Sequence, residues 1–560
     1  MTTPPPAESL VASTLLDAAR AWIAEDPDPA TRAELTGLVK LAAADPDAAA
    51  DLGARFAGRL EFGTAGLRGE LGAGPRRMNR MVVAQAAAGL AEFLQGNPVA
   101  GQSGVVVGYD ARHGSAVFAC DTAQIIRGAG LRTLLLPRAL PTPVLAFAIR
   151  HLGCAAGVMV TASHNPSRDN GYKVYLGDGS QIVPPADTEI AGCIARVGPV
   201  PELPRSEEYA TLDDSVERAY VEAVAALPDP AAPRELSVVH TALHGVGASV
   251  VRQVLARSGY GPAHEVAGQA DPDPDFPTVA FPNPEEPGAM DLALRTAREV
   301  GADIVVANDP DADRCAVAVP ASDGWRMLRG DEVGVLLADF LLRSGLEGTY
   351  ATTIVSSSLL GKLAAAAGQP YVETLTGFKW LGRVDGLVFG YEEALGYAVA
   401  PEIARDKDGI SAIMRLLELA AGRRADGSTL LDRLDDLARL HGLHATDQLS
   451  VRVSDPSQLA AAMSHLREAP PARLGDQAVE RLDDLATGSV DLPPTDALRF
   501  VLAGAGRVVI RPSGTEPKLK CYLEVVVPVD GDVVAARIAA AGRLDVIRRD
   551  IAEVVVRPMS

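Results

Sequence analysis

Short apolar runs alternate with longer amphipathic stretches along most of this chain. "SGVVVGYD" (103–110), "LRTLLLPRA" (131–139) and "AAGVMVTAS" (155–163) are compact and apolar, end in polar or turn-forming residues, and read as buried strands. Between them, 114–129 and "PTPVLAFAIRHLG" (141–153) carry helical periodicity, the second with proline early, where a helix tolerates it. That βαβα rhythm predicts a sheet with much parallel character covered on both faces. Residues 8–60 read as amphipathic helices broken by "DPDP" and "DPDA". A Pro-rich stretch, "RVGPVPELPRSEEY" (196–209), marks a boundary.

A second βα set follows in "ELSVVHTALHGVGASVVRQVLARSG" (235–259) and "GADIVVANDPDADRCAVAVP" (301–320). A third runs from helix "DEVGVLLADFLLRSG" (331–345) through strands "YATTIVSS" (350–357), "YVETL" (371–375) and "GLVFGYEEALGY" (386–397) to helix "DGISAIMRLLELAAG" (408–422). The remainder, with short strands at 448–454, 507–514 and 520–529 and two helices, predicts a small α+β domain. The expected domains are therefore 1–205, 206–325, 326–445 and 446–560, three similar α/β units and one α+β unit, which fits a length of 560 residues.

Composition narrows the function classes. A net charge of −20 argues against a nucleic-acid partner, because phosphate backbones call for clustered Lys and Arg. No apolar run reaches ~18 residues, so no membrane span is expected. Residues 1–26 lack the basic start and apolar core of a signal peptide. The five cysteines (120, 154, 193, 315, 521) never stand in CxxC spacing, which fits a reducing cytoplasm.

Four polar loops end apolar strands, where open α/β sheets bind ligands. The first, Thr161-Ala162-Ser163-His164-Asn165-Pro166 with Lys173 beyond, reads as an exposed nucleophilic hydroxyl or as a plain turn. The second, Asp309-Pro310-Asp311-Ala312-Asp313-Arg314, offers three alternating carboxylates to a hard divalent cation, or is a solvated acidic loop. It is not an EF-hand, since Arg314 stands where that loop needs glycine and Pro320 where it needs glutamate. The third, Arg511-Pro512-Ser513-Gly514-Thr515, can cradle a phosphate with main-chain N–H groups, hydroxyls and a guanidinium fork, or is a hairpin turn. The fourth, "FGYEEALGY" (389–397) with "RDKDG" (405–409), can read sugar hydroxyls through glutamate and meet a phosphate through Lys407, or is simply solvated. Together they are an inventory for moving phosphate on a phosphorylated polyol.

Five stretches in order, "FGTAGLRG" (62–69), "TASHNPSRDNGYKVY" (161–175), "DPDADR" (309–314), "GYEEALG" (390–396) and "RPSGTEPKLK" (511–520), resemble the α-D-phosphohexomutase superfamily, the phosphoglucomutases and phosphomannomutases. The resemblance implies a four-domain α/β protein built around a central cleft. It implies a mutase that exchanges sugar 1-phosphate and 6-phosphate through a phosphoserine and a bisphosphorylated sugar. Ser163 matches the phosphorylated serine, and Asp309, Asp311 and Asp313 match the Mg2+ ligands, with a phosphoserine oxygen completing the set. Arg68, His164 and Lys173 match groups around the transferring phosphoryl group, and Lys173 is the acid/base candidate. Arg314, Gly377, Lys379, Glu392, Lys407, Arg511, Ser513, Gly514 and Thr515 make up the implied substrate-binding set.

Ala394 departs from the serine found two residues after that glutamate in many hexose enzymes. With Tyr391 and "TGFKW" (376–380), it resembles a branch that includes phosphopentomutases and sugar-bisphosphate synthases. The implied cofactors are Mg2+ and an activating sugar bisphosphate, the partners sugar phosphates, and the state a monomer or homodimer. A Mg2+-dependent phosphatase or a silent sugar-phosphate sensor are the rival classes. The first needs no second phosphate clamp, and the second has no use for Ser163 beside three aspartates.

Overall fold

The computed structural model describes residues 7–96, 103–453, 457–490, 492–513 and 518–556. It packs as two compact units, one running to Ala318 and taking in Ala400–Arg415, the other made of Val319–Val399 and the chain from Leu416 onward.

The first unit opens with helices Ala7–Glu25, Pro29–Leu41 and Pro46–Phe56. Asp28 and Asp45 cap the second and third by accepting the N–H groups of Ala30 and Asp47, with proline following at the first helical position. The Asp-Pro pairs that break the apolar pattern are thus helix starts. Ala19, Leu35 and Leu52 pack with Ala73 into a small core.

Six strands then form one sheet in the spatial order Leu67–Glu70, Asp169–Leu176, Ala156–Val160, Val105–Tyr109, Thr133–Leu135, Ala210–Thr211. The first two pairings are antiparallel and the other three parallel. Val105, Val107, Val158 and Val160 join a core with Met81, Leu90, Ile126 and Ile190, while Val106 and Met159, pointing the other way along the same strands, are buried as well. The central strands are therefore covered on both faces, which is why they read as unbroken apolar runs. The sheet takes its edge strand, Ala210–Thr211, from beyond the boundary expected at 205, because the Pro-rich segment packs back onto the domain, with Val200 buried in the same core.

A second sheet orders His264–Glu265, Val238–Thr241, Ile304–Ala307 and Ala316–Ala321, the last pairing antiparallel. The chain leaves the first unit within that last strand.

The second unit holds a sheet ordered Tyr371–Thr374, Thr349–Thr353, Leu387–Glu392, Gly396–Ala398. The stretch 386–397, expected as one strand, is a hairpin: Glu392 pairs with Gly396, and Leu395 turns the chain at φ 62°. A six-stranded antiparallel sheet follows, with helices Ser457–Glu468 and Val533–Val556 packed on it through Met463, Leu466, Ile547 and Ile551. Its first strand, Leu443–Arg452, begins three residues before the boundary expected at 446. Residues 400–415, expected in the third domain, pack with the first unit. Three α/β sheets and one α+β sheet match the expected fold class. Among the described residues, no helix is long and apolar enough to cross a membrane.

Candidate active site

Strand Ala156–Val160 delivers the chain into the Ser163 loop, and strand Ile304–Ala307 delivers it into the aspartate loop. Ser163 stands at φ 53° and is 2% exposed. Its Oγ donates to Asp309 Oδ2 at 2.8 Å and lies 3.4 Å from His164 Nδ1, while its N–H donates to Thr161 Oγ1 at 2.9 Å. The sequence separation of that serine–aspartate contact is 146 residues, so the fold brings the first two candidate loops together.

Asp309, Asp311 and Asp313 are fully buried, and each offers a carboxylate oxygen within 4.8 Å of the others. Lys173 Nζ reaches Asp311 Oδ2 at 2.7 Å and Asp313 Oδ2 at 3.0 Å, and Lys407 Nζ reaches Asp313 Oδ2 at 3.2 Å. Thr142 Oγ1 donates to Asp311 Oδ2 at 2.6 Å, and the Arg314 N–H to Asp309 Oδ1 at 3.1 Å. Asp311 Oδ1 and Asp313 Oδ1 accept no hydrogen bond, and the nearest ion-pair partner of the latter, Arg314 Nε, stands off at 3.9 Å. Orphaned buried oxygens are expensive. Two of them on converging carboxylates fit a hard divalent cation with oxygen ligands.

Burial, together with the charges of Asp311 and Asp313, pushes the Asp309 carboxyl well above its usual range. Burial alone would raise Asp313 too, but Lys173, Lys407 and Arg314 outweigh it and hold that carboxyl down. His164 is pushed well below the ordinary imidazole value by burial and by the nearby cations Arg314, Arg68 and Lys173, so its ring is neutral at pH 7. Arg68, on strand Leu67–Glu70, donates to Asn165 Oδ1 at 3.1 Å. Lys407 thus lies against the aspartate loop in this unit, held also by Asp406, which accepts from Tyr175 Oη and Gln181 Nε2 at 2.8 Å each.

The second unit carries the remaining candidates. Gly377, at φ 108°, heads the short helix Phe378–Leu381 that bears half-buried Lys379. Glu392 ends its strand, whereas Glu393 is tied inward by Ser356, whose Oγ donates to Glu393 Oε2 at 2.9 Å. Arg511 sits on strand Arg507–Pro512 opposite Lys520. Burial pushes the Tyr522 hydroxyl far above its ordinary value, with the charges of Glu393 and Glu392 adding to the shift and Arg511 opposing it. Four residues earlier on the same strand, Arg507 bonds Glu373 Oε1 at 2.7 Å and Glu524 Oε2 at 3.0 Å, anchoring the strand that presents Arg511. Ser513 donates its N–H to the Lys518 carbonyl at 2.8 Å. Gly514 and Thr515 lie outside the described residues.

Models of the three phosphoglucomutase/phosphomannomutase alpha/beta/alpha domains match residues 59–199, 218–324 and 329–438, and the C-terminal domain model matches 449–541. The chain belongs to this family. A Haemophilus influenzae protein named "Probable phosphomannomutase" is 48% identical over 485 residues, covering 84% of this chain and 98% of that one. A Schizosaccharomyces pombe "Probable phosphoribomutase" is 39% identical over 551 residues, covering 90% and 92%. A crystal structure of a Burkholderia thailandensis phosphoglucomutase/phosphomannomutase family protein shares the fold, with a TM-score of 0.68 at 20% identity over 89% of this chain and 97% of that one. Like its phosphohexomutase-family relatives, the chain is an isomerase of the mutase type.

Within this family frame, sequence reasoning missed the scaffold of the serine loop. Asp110 accepts from Ser115 Oγ and Thr161 Oγ1 at 2.6 Å each, and Arg112 binds the loop's carbonyls. A signal was present in "GYDARHGS" (108–115): an Asp-x-Arg closing a buried strand on the sheet that carries Ser163.

Proposed function

We propose that the chain is a phosphosugar mutase that interconverts sugar 1-phosphates and 6-phosphates through a phosphoserine at Ser163. The observation that carries this reading is the Ser163 hydroxyl, aimed at Asp309 from 2.8 Å among three buried carboxylates and their cations. A phosphoryl group on that oxygen adds about −1.5 to −2 charges, which only a strongly cationic surround would tolerate. Arg68, Lys173 and Arg314 supply that surround. In the forward direction, the free hydroxyl of a sugar monophosphate attacks the phosphoserine phosphorus, the bond to Ser163 Oγ breaks, and the proton that the hydroxyl gives up is balanced by one that Oγ takes up. The resulting bisphosphate turns over, its other phosphate passes back to Ser163, and the isomeric monophosphate leaves. A sugar bisphosphate therefore also serves as activator, by phosphorylating an empty serine.

Asp309, Asp311 and Asp313 would hold Mg2+, with an oxygen of the phosphoserine as a further ligand. When bound, the ion neutralises charge on the transferring phosphoryl group. Lys173, whose ammonium form is favoured over its burial penalty by Asp311 and Asp313, starts as an acid rather than a base. His164, neutral, is available to accept or donate a hydrogen bond next to Oγ. Arg511 and Ser513, with Gly514 and Thr515, clamp the phosphate that is not reacting. Glu392, Gly377 and Lys379 orient the sugar.

The expected domain division, with its boundaries moved as the sheets require, belongs to the same reading. So do a cytoplasmic location, consistent with five unpaired cysteines, and action as a monomer or homodimer without nucleic-acid or membrane partners. A second reading, a pentose substrate, is favoured by Ala394 and by the phosphoribomutase relative. A coupled assay with Mg2+, bisphosphate primer and glucose-, mannose- or ribose-1-phosphate tests both readings. Turnover of none, or net release of inorganic phosphate instead, would overturn the proposal.

A further inference from the structure

Arg112 has no role in the reaction as described, yet among the described residues no other side chain makes as many hydrogen bonds to the backbone of the Ser163 loop. It is 4% exposed. Nη2 donates to the carbonyl of Ser163 at 2.6 Å and to that of Asn165, and Nη1 to Pro166 at 2.7 Å and Asp169 at 3.2 Å. The Phe276 ring covers the guanidinium, with its centroid 4.9 Å from Cζ. Asp110 holds Arg112 at its root and by charge: its carboxylate accepts the Arg112 main-chain N–H at 3.0 Å and forms an ion pair with Nε at 3.4 Å. The same carboxylate accepts from Thr161 Oγ1, which in turn accepts the Ser163 N–H at 2.9 Å.

Both the N–H and the carbonyl of Ser163 are therefore anchored, directly or through one hydroxyl, to a single Asp110–Arg112 pair. The residue so held is at φ 53°, a conformation that L-residues other than Asn and Asp seldom adopt. A loop left to itself would relax out of it and swing Oγ away from Asp309.

We propose that Arg112, oriented by Asp110, is a positioning residue that fixes the Ser163 loop for phosphoryl transfer. The inference rests on Ser163 being the phosphoryl acceptor. The planar guanidinium meets four carbonyls in one fork, which an ammonium cannot do. Arg112→Lys keeps the charge and loses the fork. Misplacing a reacting atom by about 1 Å costs on the order of 100-fold in rate. The variant should therefore lose roughly that much kcat, with KM for the sugar phosphate changed less than about threefold, since the groups that hold the substrate are untouched. Phosphorylation of Ser163 by glucose 1,6-bisphosphate, followed by intact mass, should slow in parallel. Asp110→Asn, which keeps the shape but loses the charge that steers Arg112, should show the same kcat-only pattern more mildly and guards against misfolding of the first variant.

A wild-type enzyme that takes no phosphate on Ser163 would sink the mutase reading and this proposal with it. A wild type that is phosphorylated, beside variants that are phosphorylated equally fast or that lose activity through KM alone, would overturn the positioning role and leave the mutase reading standing.

Discussion

Lys173 is the main counter-charge of the aspartate loop, so its removal has a consequence that runs in two directions. Its ammonium sits 2.7 Å from Asp311 and 3.0 Å from Asp313, with the lysine side chain 8% exposed and both carboxylates fully buried. Lys173→Met keeps the length and most of the volume, so little of the effect comes from packing. What remains for Asp311 Oδ2 is the Thr142 hydroxyl, and for Asp313 Oδ2 the Lys407 ammonium at 3.2 Å. Breaking a buried pair by deleting one partner costs about 3–5 kcal/mol. In chelator, amide exchange in the peptides covering 302–318 should therefore accelerate in the variant. A local readout is needed because a chain of two units need not unfold in one step. Mg2+ should reverse much of this, since a ligand that binds only the native state stabilises it by mass action. With one cation gone from the cluster, the variant should bind Mg2+ at least about tenfold more tightly by calorimetry, a change of about 1.4 kcal/mol, while its mutase activity collapses. Unchanged exchange in chelator together with weaker Mg2+ binding would refute the reasoning that this lysine and the metal share the same carboxylates.

Asp331 is raised to about 6, chiefly by burial, against 3.8 for a free side chain. Between those values the native state holds the extra proton, so stability falls as pH rises through the window, by at most about 3 kcal/mol. The stability gained in Asp331→Asn should accordingly grow from pH 4 to pH 7, and a difference independent of pH would contradict the assignment. Gly409→Ala would set a Cβ 2.1 Å from the Arg314 carbonyl and 2.7 Å from Asn308 Nδ2. It should cost about 1–3 kcal/mol as overpacking and weaken Mg2+ binding by displacing the aspartate loop, and normal metal affinity by calorimetry would count against that packing. Arg511→Ala should weaken sugar-phosphate binding by roughly 2–4 kcal/mol, with kcat falling as well. Unchanged kinetics with every sugar phosphate would remove the residue from the clamp.

The serine and aspartate loops were legible because each follows a strand buried on both faces, whose apolar run ends sharply, at Val160 and at Ala307. The aspartate loop's alternating carboxylates and the serine's hydroxyl could be picked out locally. Their meeting could not, since Ser163 and Asp309 are joined by tertiary structure alone. Arg112 was missed for the same reason: its partners are backbone carbonyls 51–57 residues away, and a carbonyl leaves no mark in a sequence. Lys407 follows the sugar loop in sequence, and sequence could not show that residues 400–415 pack with the first unit, where its ammonium lies 3.2 Å from Asp313. Edge strands were also hidden. Ala210–Thr211 has two exposed residues and Leu67–Glu70 one fully buried one, too few for alternation to register. Gln477–Asp484 reads as charged because only Gln477 along it is fully buried.

The account stands most directly on the covalent state of one oxygen. Wild-type protein incubated with Mg2+ and a sugar 1,6-bisphosphate, freed of small molecules and weighed intact, should gain about 80 Da, the mass of one phosphoryl group. Peptide fragmentation should place it on Ser163, excess sugar monophosphate should remove it, and Ser163→Ala should never acquire it. A wild type that gains no mass while turning over substrate, or a Ser163→Ala protein that gains the same mass, would contradict the phosphoserine mechanism.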